Sequence, residues 1–333
     1  MSLYAFDAVE DAIAATRGFL LPFDLGRWLK LAFIMFFIGG GGGGSTPTQF
    51  GNTSSGSVPD PTGGGGGGMP TPPSIGPTEW AIIGAVVATI ILLVLAFALV
   101  GAVFEFAFVE SLRQDRVAIR EFWGEYRNRG IRLFAFRLVT GLAVLAVVLG
   151  GLGLALWPLL VGSGEFSVAL LLLVIPVIIV LALLNGLLQG FTTQFVVPVM
   201  LLENRGVIAG WKRFWPTLTG EWKEYLGYVV MRFVLQIALG ILLGIVLLIA
   251  GIVVAIPLGV LGVAGFALVQ TQPILGWGVV AIAGLLFGLS VLLLSLFGAV
   301  PVQTFLRYYA LLVLGKTNEA FDAIPSQRAA AQE

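Results

Sequence analysis

The chain has no cysteine and no histidine among its 333 residues. The missing cysteine excludes disulfides, thiolate metal sites and thiol nucleophiles, and the missing histidine removes the commonest general base and transition-metal ligand. Charge is also scarce, because only 11% of the residues are Asp, Glu, Lys or Arg and the formal net charge is zero. We therefore expect no enzyme, no cofactor or metal site, and no nucleic-acid partner, which would need a basic field.

Apolar residues, in contrast, are abundant. They make up 58% of the chain, and the mean hydropathy is +1.00. Since a membrane-spanning helix needs about 20 apolar residues, the runs indicate spans near 80–110, 131–161, 167–200, 225–257 and 274–312, with a short first span at 28–38. The fold class predicted is an all-α polytopic membrane helix bundle of six spans. We prefer two spans in 225–312, although four stays an alternative.

The remaining segments complete the domain organisation. Residues 1–27 are predicted to form a cytoplasmic amphipathic helix, and residues 313–333 a cytoplasmic tail. Between them, residues 39–79 contain two six-glycine runs and many Ser, Thr and Pro residues, which predicts a flexible outer loop. Asn52 begins an Asn-Thr-Ser glycosylation acceptor in that loop.

The basic residues indicate the orientation in the membrane. All 18 Lys and Arg residues fall in four segments of the chain: the two terminal segments and two of the loops, each taken with the adjoining span ends. These four segments alternate with segments that contain no Lys or Arg. Because cytoplasmic loops carry an excess of Lys and Arg, both termini are predicted to be cytoplasmic, in a multi-pass protein of the cell membrane. Tryptophans at the predicted outer span ends, Trp80, Trp157 and Trp277, agree with an interfacial aromatic belt.

An internal repeat of unchanged orientation relates residues 80–161 (repeat unit 1) to residues 167–257 (repeat unit 2). Leu112-Arg-Gln-Asp-Arg116 matches Leu201-Leu-Glu-Asn-Arg205, and other matched positions lie on both sides of these segments. Each unit is predicted to contain an inner helix, at 111–130 and 203–224. The matched positions are Glu105 with Gln194, Phe106 with Phe195, and Arg137 with Arg232.

The inner helices are expected to lie in the membrane plane. Asp115 and Asn204 stand where N-caps would start them, and apolar residues recur at helical spacing on one face of each. Such helices can place a basic face against headgroups. In the alternative interpretation, the two segments only connect spans and pack on the bundle.

Two stretches carry a resemblance to known families. The segment Pro198 to Trp215 resembles the membrane domain fused to some glycerophosphoryl diester phosphodiesterases. The opening Thr16 to Trp28 and the closing Phe305 to Gly315 resemble an uncharacterised multi-span family of halophilic archaea. The resemblance implies the architecture only, since the phosphodiesterase activity belongs to a separate barrel that uses histidines, which this chain lacks.

Two sets of residues are candidates for function. The first is a cytoplasmic surface for lipid or a partner, comprising Arg113, Arg116, Arg120, Trp123, Arg127, Arg205, Trp211, Lys212, Arg213 and Trp215. The second comprises polar positions in or near the membrane, where polar groups mark functional sites or fix helix packing: Glu105, Arg137, Asn185, Gln189, Arg232 and Gln236. Glu105 could pair with Arg137 or with Arg232.

The function predicted from these features is that of a non-enzymatic integral membrane protein. Its cytoplasmic face would bind anionic lipid or a protein partner; a homo-oligomer of the chain is the alternative to a different partner. The alternative is a transporter or channel-like protein for a small uncharged or lipid-like solute, with Asn185 and Gln189 at the site. The third hypothesis is an enzyme that uses Glu105 and Glu110, but no candidate nucleophile accompanies these two carboxylates.

Overall fold

A computed structural model describes residues 4–40, 76–160 and 168–331, which are helical almost throughout. The glycosylation acceptor at Asn52 and most of the predicted 39–79 loop lie outside the described residues. The helices are α1 (Tyr4–Leu20), α2 (Leu25–Gly40), α3 (Pro77–Arg113), α4 (Ile119–Leu160), α5 (Val168–Phe191), α6 (Val197–Glu203), α7 (Val207–Gly220), α8 (Trp222–Val269), α9 (Pro273–Thr317) and α10 (Pro325–Ala331).

Five helices are long and apolar enough to cross a membrane, namely α3, α4, α8, α9 and the unit formed by α5 and α6. The predicted first span coincides with α2, but α2 has 16 residues. Its length of about 24 Å is less than the roughly 30 Å hydrocarbon core. The described residues thus contain five candidate spans, whereas the sequence predicts six in the whole chain. The segment 225–312 forms two long helices, as preferred, and not four.

The long helices divide into a packed region and an unpacked one. At one end, residues 101–112 of α3, residues 192–201 and residues 304–315 of α9 are buried together. This end, with α1, α2, α6, α7 and the first turns of α4 and α8, is the inner core. The other parts of α3, α4, α5, α8 and α9 are the arms, in which the most apolar windows are only 0–6% buried.

Aromatic side chains hold the inner core together. The ring of Phe195 stacks on Phe214 at 5.5 Å and meets Tyr225 and Tyr228 edge-on at 5.1 and 4.8 Å. Tyr228 in turn stacks on Tyr309 of α9 at 5.3 Å. Such contacts join α7, α8, α9 and the turn between α5 and α6, and they add about 0.5–1.5 kcal/mol per pair beyond the area that they bury.

Asp115 and Asn204 end helices rather than start them. Their φ angles are 52° and 53°, in the left-handed region. The next residue's N–H bonds back to the last turn, from Arg116 to Ser111 at 3.2 Å and from Arg205 to Met200 at 3.3 Å. This is the Schellman pattern of a helix C-terminus, so the N-cap prediction was wrong: a left-handed residue cannot occupy an extended N-cap.

The predicted inner helices also differ from the observed ones. Residues 111–130 do not form a separate helix, because α3 continues to Arg113 and α4 runs unbroken from Ile119. The start of α4 packs against α3, where the Cα of Val103 would stand 2.7 Å from a Cβ added to Gly130. The second segment does contain a separate helix, α7.

Both described ends of the chain lie at the inner core. Lys316 at the end of α9 pairs with Asp11 of α1 at 2.8 Å, and both side chains are largely covered. Gln327 of α10 donates to the carbonyl oxygens of Leu112 and Arg113 at the end of α3. The N-terminal and C-terminal segments therefore lie at the same end of the molecule.

Candidate functional site

An ion-pair network lies where the inner core meets the arms. Glu105 of α3 is fully buried, and its carboxylate accepts a hydrogen bond from Arg307 of α9, which is only 4% exposed. The same carboxylate pairs with Arg137 of α4 at 3.4 Å. One carboxylate thereby connects three helices at the boundary between the inner core and the arms.

A π-helical turn, Thr192–Val196, supplies further partners. Arg137 donates to the Thr193 hydroxyl at 2.7 Å, and Arg307 donates to the Thr193 carbonyl oxygen at 2.7 Å. Single π-turns within helices are rare and are found frequently at functional sites. In this turn, Thr193 accepts hydrogen bonds from two arginines, one through its hydroxyl and one through its carbonyl oxygen.

A third arginine completes the group. Arg232 of α8 donates to the Tyr228 hydroxyl at 2.7 Å. It also donates to Gln194 at 2.9 and 3.1 Å when the amide oxygen of Gln194 is turned towards it, the orientation that satisfies both groups. Arg232 is close enough to repel Arg307 electrostatically. We call Glu105, Arg137, Thr193, Gln194, Arg232 and Arg307 the arginine cluster.

The arginine cluster carries an excess of positive charge. It contains three guanidinium groups but one carboxylate, Glu105, which pairs with Arg137 and Arg307. The next acidic residue on α8, Glu224, precedes Arg232 by two turns, about 12 Å along the helix. Because burying a charge without a counter-charge is costly, this arrangement favours a bound anion.

Two cavities flank the cluster, one on each side of α5. The α4–α5 cavity has a volume of about 300 Å³ and is lined by Arg137, Asn185 and Gln189, together with apolar residues of α3 and α4. The α5–α8 cavity, of about 190 Å³, is lined by Gln194, Arg232, Gln236 and apolar residues. Each cavity thus holds one arginine of the cluster.

The structure brings together the polar positions selected from the sequence: Glu105 and Arg137 pair, Asn185 and Gln189 share the α4–α5 cavity, and Gln236 and Arg232 share the α5–α8 cavity. Arg232 does not pair with Glu105, since its partners are Tyr228 and Gln194. Arg307, near the end of the predicted 274–312 span, was not among the selected positions. The available signal was the pattern of a polar residue before an aromatic one: Glu105-Phe106, Gln194-Phe195 and Arg307-Tyr308.

The predicted cytoplasmic surface is less basic than its sequence suggests. Arg116 makes a double hydrogen bond with Glu121 at 2.9 and 2.7 Å, which raises the pKa of Arg116. Arg205 and Arg213 share Glu203 at 2.8 and 3.0 Å. Thus several of its cations already have a counter-charge.

The rest of that surface is mixed. Arg113 pairs with Glu110 at 3.4 Å, and Trp211 donates to Thr192 at 3.0 Å beneath the surface. Trp123 and Trp215 are exposed. Three exposed cations make no ion pair with any described residue: Arg120, Arg127 and Lys212. They are the part of the surface available to a negatively charged partner.

The described residues offer no metal centre, since no three acidic side chains among them are close enough to hold an ion. Glu105 and Glu110 have different partners: Glu105 binds the arginines, whereas Glu110 accepts from Arg113 and Gln114. The two carboxylates therefore do not form an isolated acid–base pair.

Residues 3–324 match the model of a family of unknown function, DUF7544. The chain belongs to the DUF7544 family. No curated protein and no solved structure matches it. The family match covers nearly the whole chain, including the arginine cluster and both flanking cavities. The resemblance to the membrane domains of glycerophosphoryl diester phosphodiesterases stays a prediction.

Proposed function

We propose that this protein is a non-enzymatic integral membrane protein that binds anionic lipid at its inner face. The observation that carries the proposal is the arginine cluster, with three arginines and one buried glutamate where the packed core meets the lipid-facing arms. Phosphate-bearing headgroups occupy that depth of a bilayer when the arms fill its hydrocarbon core. Arginine suits phosphate because its planar guanidinium presents several donors at once.

The proposed topology has six crossings with both termini in the cytoplasm. The chain enters α2 at the inner core and begins α3 at the far end of an arm, since residues 77–94 are all exposed and about 36 Å separate Pro77 from residue 101. We therefore assign the sixth crossing of the proposed topology to the part of the chain between these two points. Its inner part is α2, whose Phe37 contacts Phe97 of α3 at 4.6 Å.

Cysteine labelling tests this topology, because the natural chain contains no cysteine to remove. Single variants Arg120→Cys and Thr78→Cys would be treated with a membrane-impermeant maleimide in intact cells. We expect labelling at position 78 and none at position 120 until the cells are opened. Labelling at position 120 in intact cells would contradict the orientation.

Lipid retention tests the binding itself. The purified chain would be incorporated into nanodiscs with equal amounts of phosphatidylcholine and phosphatidylglycerol, extracted in mild detergent and weighed by native mass spectrometry. We expect phosphatidylglycerol to be retained preferentially. Replacing Arg120, Arg127 and Lys212 together by Gln would weaken this preference moderately, since each basic residue near an anionic surface contributes about 1 kcal/mol. Equal retention of the two lipids would refute the proposal.

Transport of a small uncharged or lipid-like solute is the second candidate function. The observation in its favour is the α4–α5 cavity, where Asn185 and Gln189 meet. Against it, Pro176 and Pro257 lie inside the unbroken helices α5 and α8, whereas many transporter sites use interrupted helices. Solute flux into proteoliposomes that Asn185→Leu abolishes would support transport over lipid binding.

A further inference from the structure

The α4–α5 cavity contains polar atoms that have no partner. The Nε of Arg137, the Oδ1 of Asn185 and the Oε1 of Gln189 are all buried and make no hydrogen bond. All three residues line the same cavity of about 300 Å³. Native structures leave few buried polar groups unsatisfied, so three on one cavity wall mark this cavity as a candidate ligand site.

The chemistry of these atoms specifies what the ligand must offer. The Nε of Arg137 is a charged donor that needs an acceptor, and the excess positive charge of the arginine cluster favours a negative one. The two amide oxygens are acceptors that need donors. A ligand that satisfies all three groups therefore combines an anionic oxygen with at least two hydroxyl or amine hydrogens.

The position of the cavity adds a second requirement. Its remaining lining is apolar, comprising Leu95, Ala98, Phe134, Leu138, Gly141 and Leu142. Leu142 and its neighbour Val139 on α4 are among the exposed apolar residues of the arms. A ligand with an acyl chain could therefore place its polar group in the cavity and its acyl chain along the apolar surface of the arms.

We infer that the α4–α5 cavity binds a phosphate ester that carries free hydroxyl groups. Its phosphate accepts from Arg137, and two hydroxyls donate to Asn185 and Gln189 after small rotations of these side chains. The inference rests on the proposed lipid-binding function and names the headgroup class: a polyol phosphate. A lipid headgroup and a free polyol phosphate share this chemistry.

Competition between two matched lipids tests the inference. The purified full chain would be mixed with equal concentrations of dihexanoyl phosphatidylglycerol and dihexanoyl phosphatidylmethanol, and the bound lipids counted by native mass spectrometry. Both lipids carry one negative charge, but only the first has headgroup hydroxyls. We expect phosphatidylglycerol to be retained about tenfold more, the effect of two additional hydrogen bonds of ordinary strength.

Variants on the cavity wall locate the preference. Asn185→Leu and Gln189→Leu should each lower it about threefold, and together they should abolish it. Gln236→Leu in the α5–α8 cavity is the matched control and should leave the preference unchanged. Neither leucine variant removes an ion pair of the arginine cluster. Arg137→Gln should weaken the binding of both lipids about tenfold, because it removes the guanidinium that binds the phosphate common to both.

A third competitor, free glycerol 1-phosphate, distinguishes a lipid headgroup from a free polyol phosphate as the natural ligand. Displacement of both lipids at equal concentration assigns the cavity to a free polyol phosphate, whereas retention assigns it to the lipid headgroup. The inference is overturned if the wild-type chain does not distinguish the two anionic lipids, or if the leucine variants keep the preference. If dihexanoyl phosphatidylcholine is retained equally well, the proposed function itself fails.

Discussion

Residues 101–112 of α3 are all buried, whereas residues 77–94 of the same helix are all exposed. Both stretches are mainly apolar, so hydropathy alone does not decide which one packs. The buried stretch contains three phenylalanines and Glu105, which meet rings and arginines of other helices. The exposed stretch is rich in Ile, Leu, Val and Ala and has few protein neighbours.

In the proposed topology, the inner core and the arms are therefore stabilised in different surroundings. The inner core is held by its own rings, ion pairs and hydrogen bonds, as a soluble domain would be. The arms are surrounded by lipid in the proposed topology, and lipid tails give apolar helices no hydrophobic reason to pack together. Four comparisons between the two regions test this contrast.

The largest effect should come from removing the central carboxylate. Glu105→Leu would leave Arg137 and Arg307 without their shared counter-charge, and breaking a buried pair from one side typically costs about 3–5 kcal/mol. We expect a strongly lowered unfolding midpoint in detergent, or loss of the folded protein. Tryptophan fluorescence during heating would measure it, with the exposed Glu121→Gln as the control.

Leucines of the two regions should respond differently to truncation. Leu112 is 0% exposed in the inner core, whereas Leu92 is 67% exposed on an arm. Leu112→Ala should cost about 2–5 kcal/mol, the usual range for a buried leucine, and Leu92→Ala much less. Equal losses in detergent-solubilised protein would mean that the arms pack against something as tightly as the inner core does.

Glycines of α4 offer a comparison within one helix. A Cβ at Gly130 would stand 2.7 Å from the Val103 Cα, whereas a Cβ at Gly150 meets no atom within 4 Å. Gly130→Ala should therefore destabilise the protein by about 1–3 kcal/mol through overpacking. Gly150→Ala should be neutral or slightly stabilising, because alanine favours the helix. A tolerated Gly130→Ala would show that α3 and α4 can separate freely.

The smallest effect is expected at the exposed ion pair of the cytoplasmic surface. Arg116→Gln removes the double hydrogen bond to Glu121, but both groups are well hydrated, and exposed pairs contribute little to stability. The unfolding midpoint should not change measurably. The matched buried change is Lys316→Gln, which breaks the covered pair with Asp11 and should lower the midpoint. A reversed order would contradict the expectation that ion pairs covered by the inner core stabilise it more than exposed ones.

Local patterns predicted much of this architecture. Apolar runs identified the five long helices because their length and hydropathy are properties of contiguous sequence. Matched segments in the two repeat units pointed to equivalent turns, and Asp115 and Asn204 do adopt the same left-handed conformation. The error was in the role assigned to these residues, since a C-terminal turn and an N-cap both favour Asp and Asn.

The candidate site was predicted only in part. Glu105, Arg137, Asn185 and Gln189 were selected because polar residues are scarce in apolar runs. Arg307 was not selected, because its distance from Trp277 along α9 says nothing about what surrounds it. It lies opposite Glu105, 202 residues away in the chain, and no local pattern contains such a contact.

Composition and spacing by themselves determined a helical chain with runs long and apolar enough to cross a membrane, few charges, no cysteine and no histidine. These are properties of neighbouring residues, and the bilayer imposes helix on every long apolar run because backbone groups must be satisfied within the segment. Only the tertiary structure decided which halves of the helices pack, that two arginines share one glutamate with a third arginine nearby, and that cavities lie beside them. Those features depend on residues distant in sequence, whose meeting is set by packing.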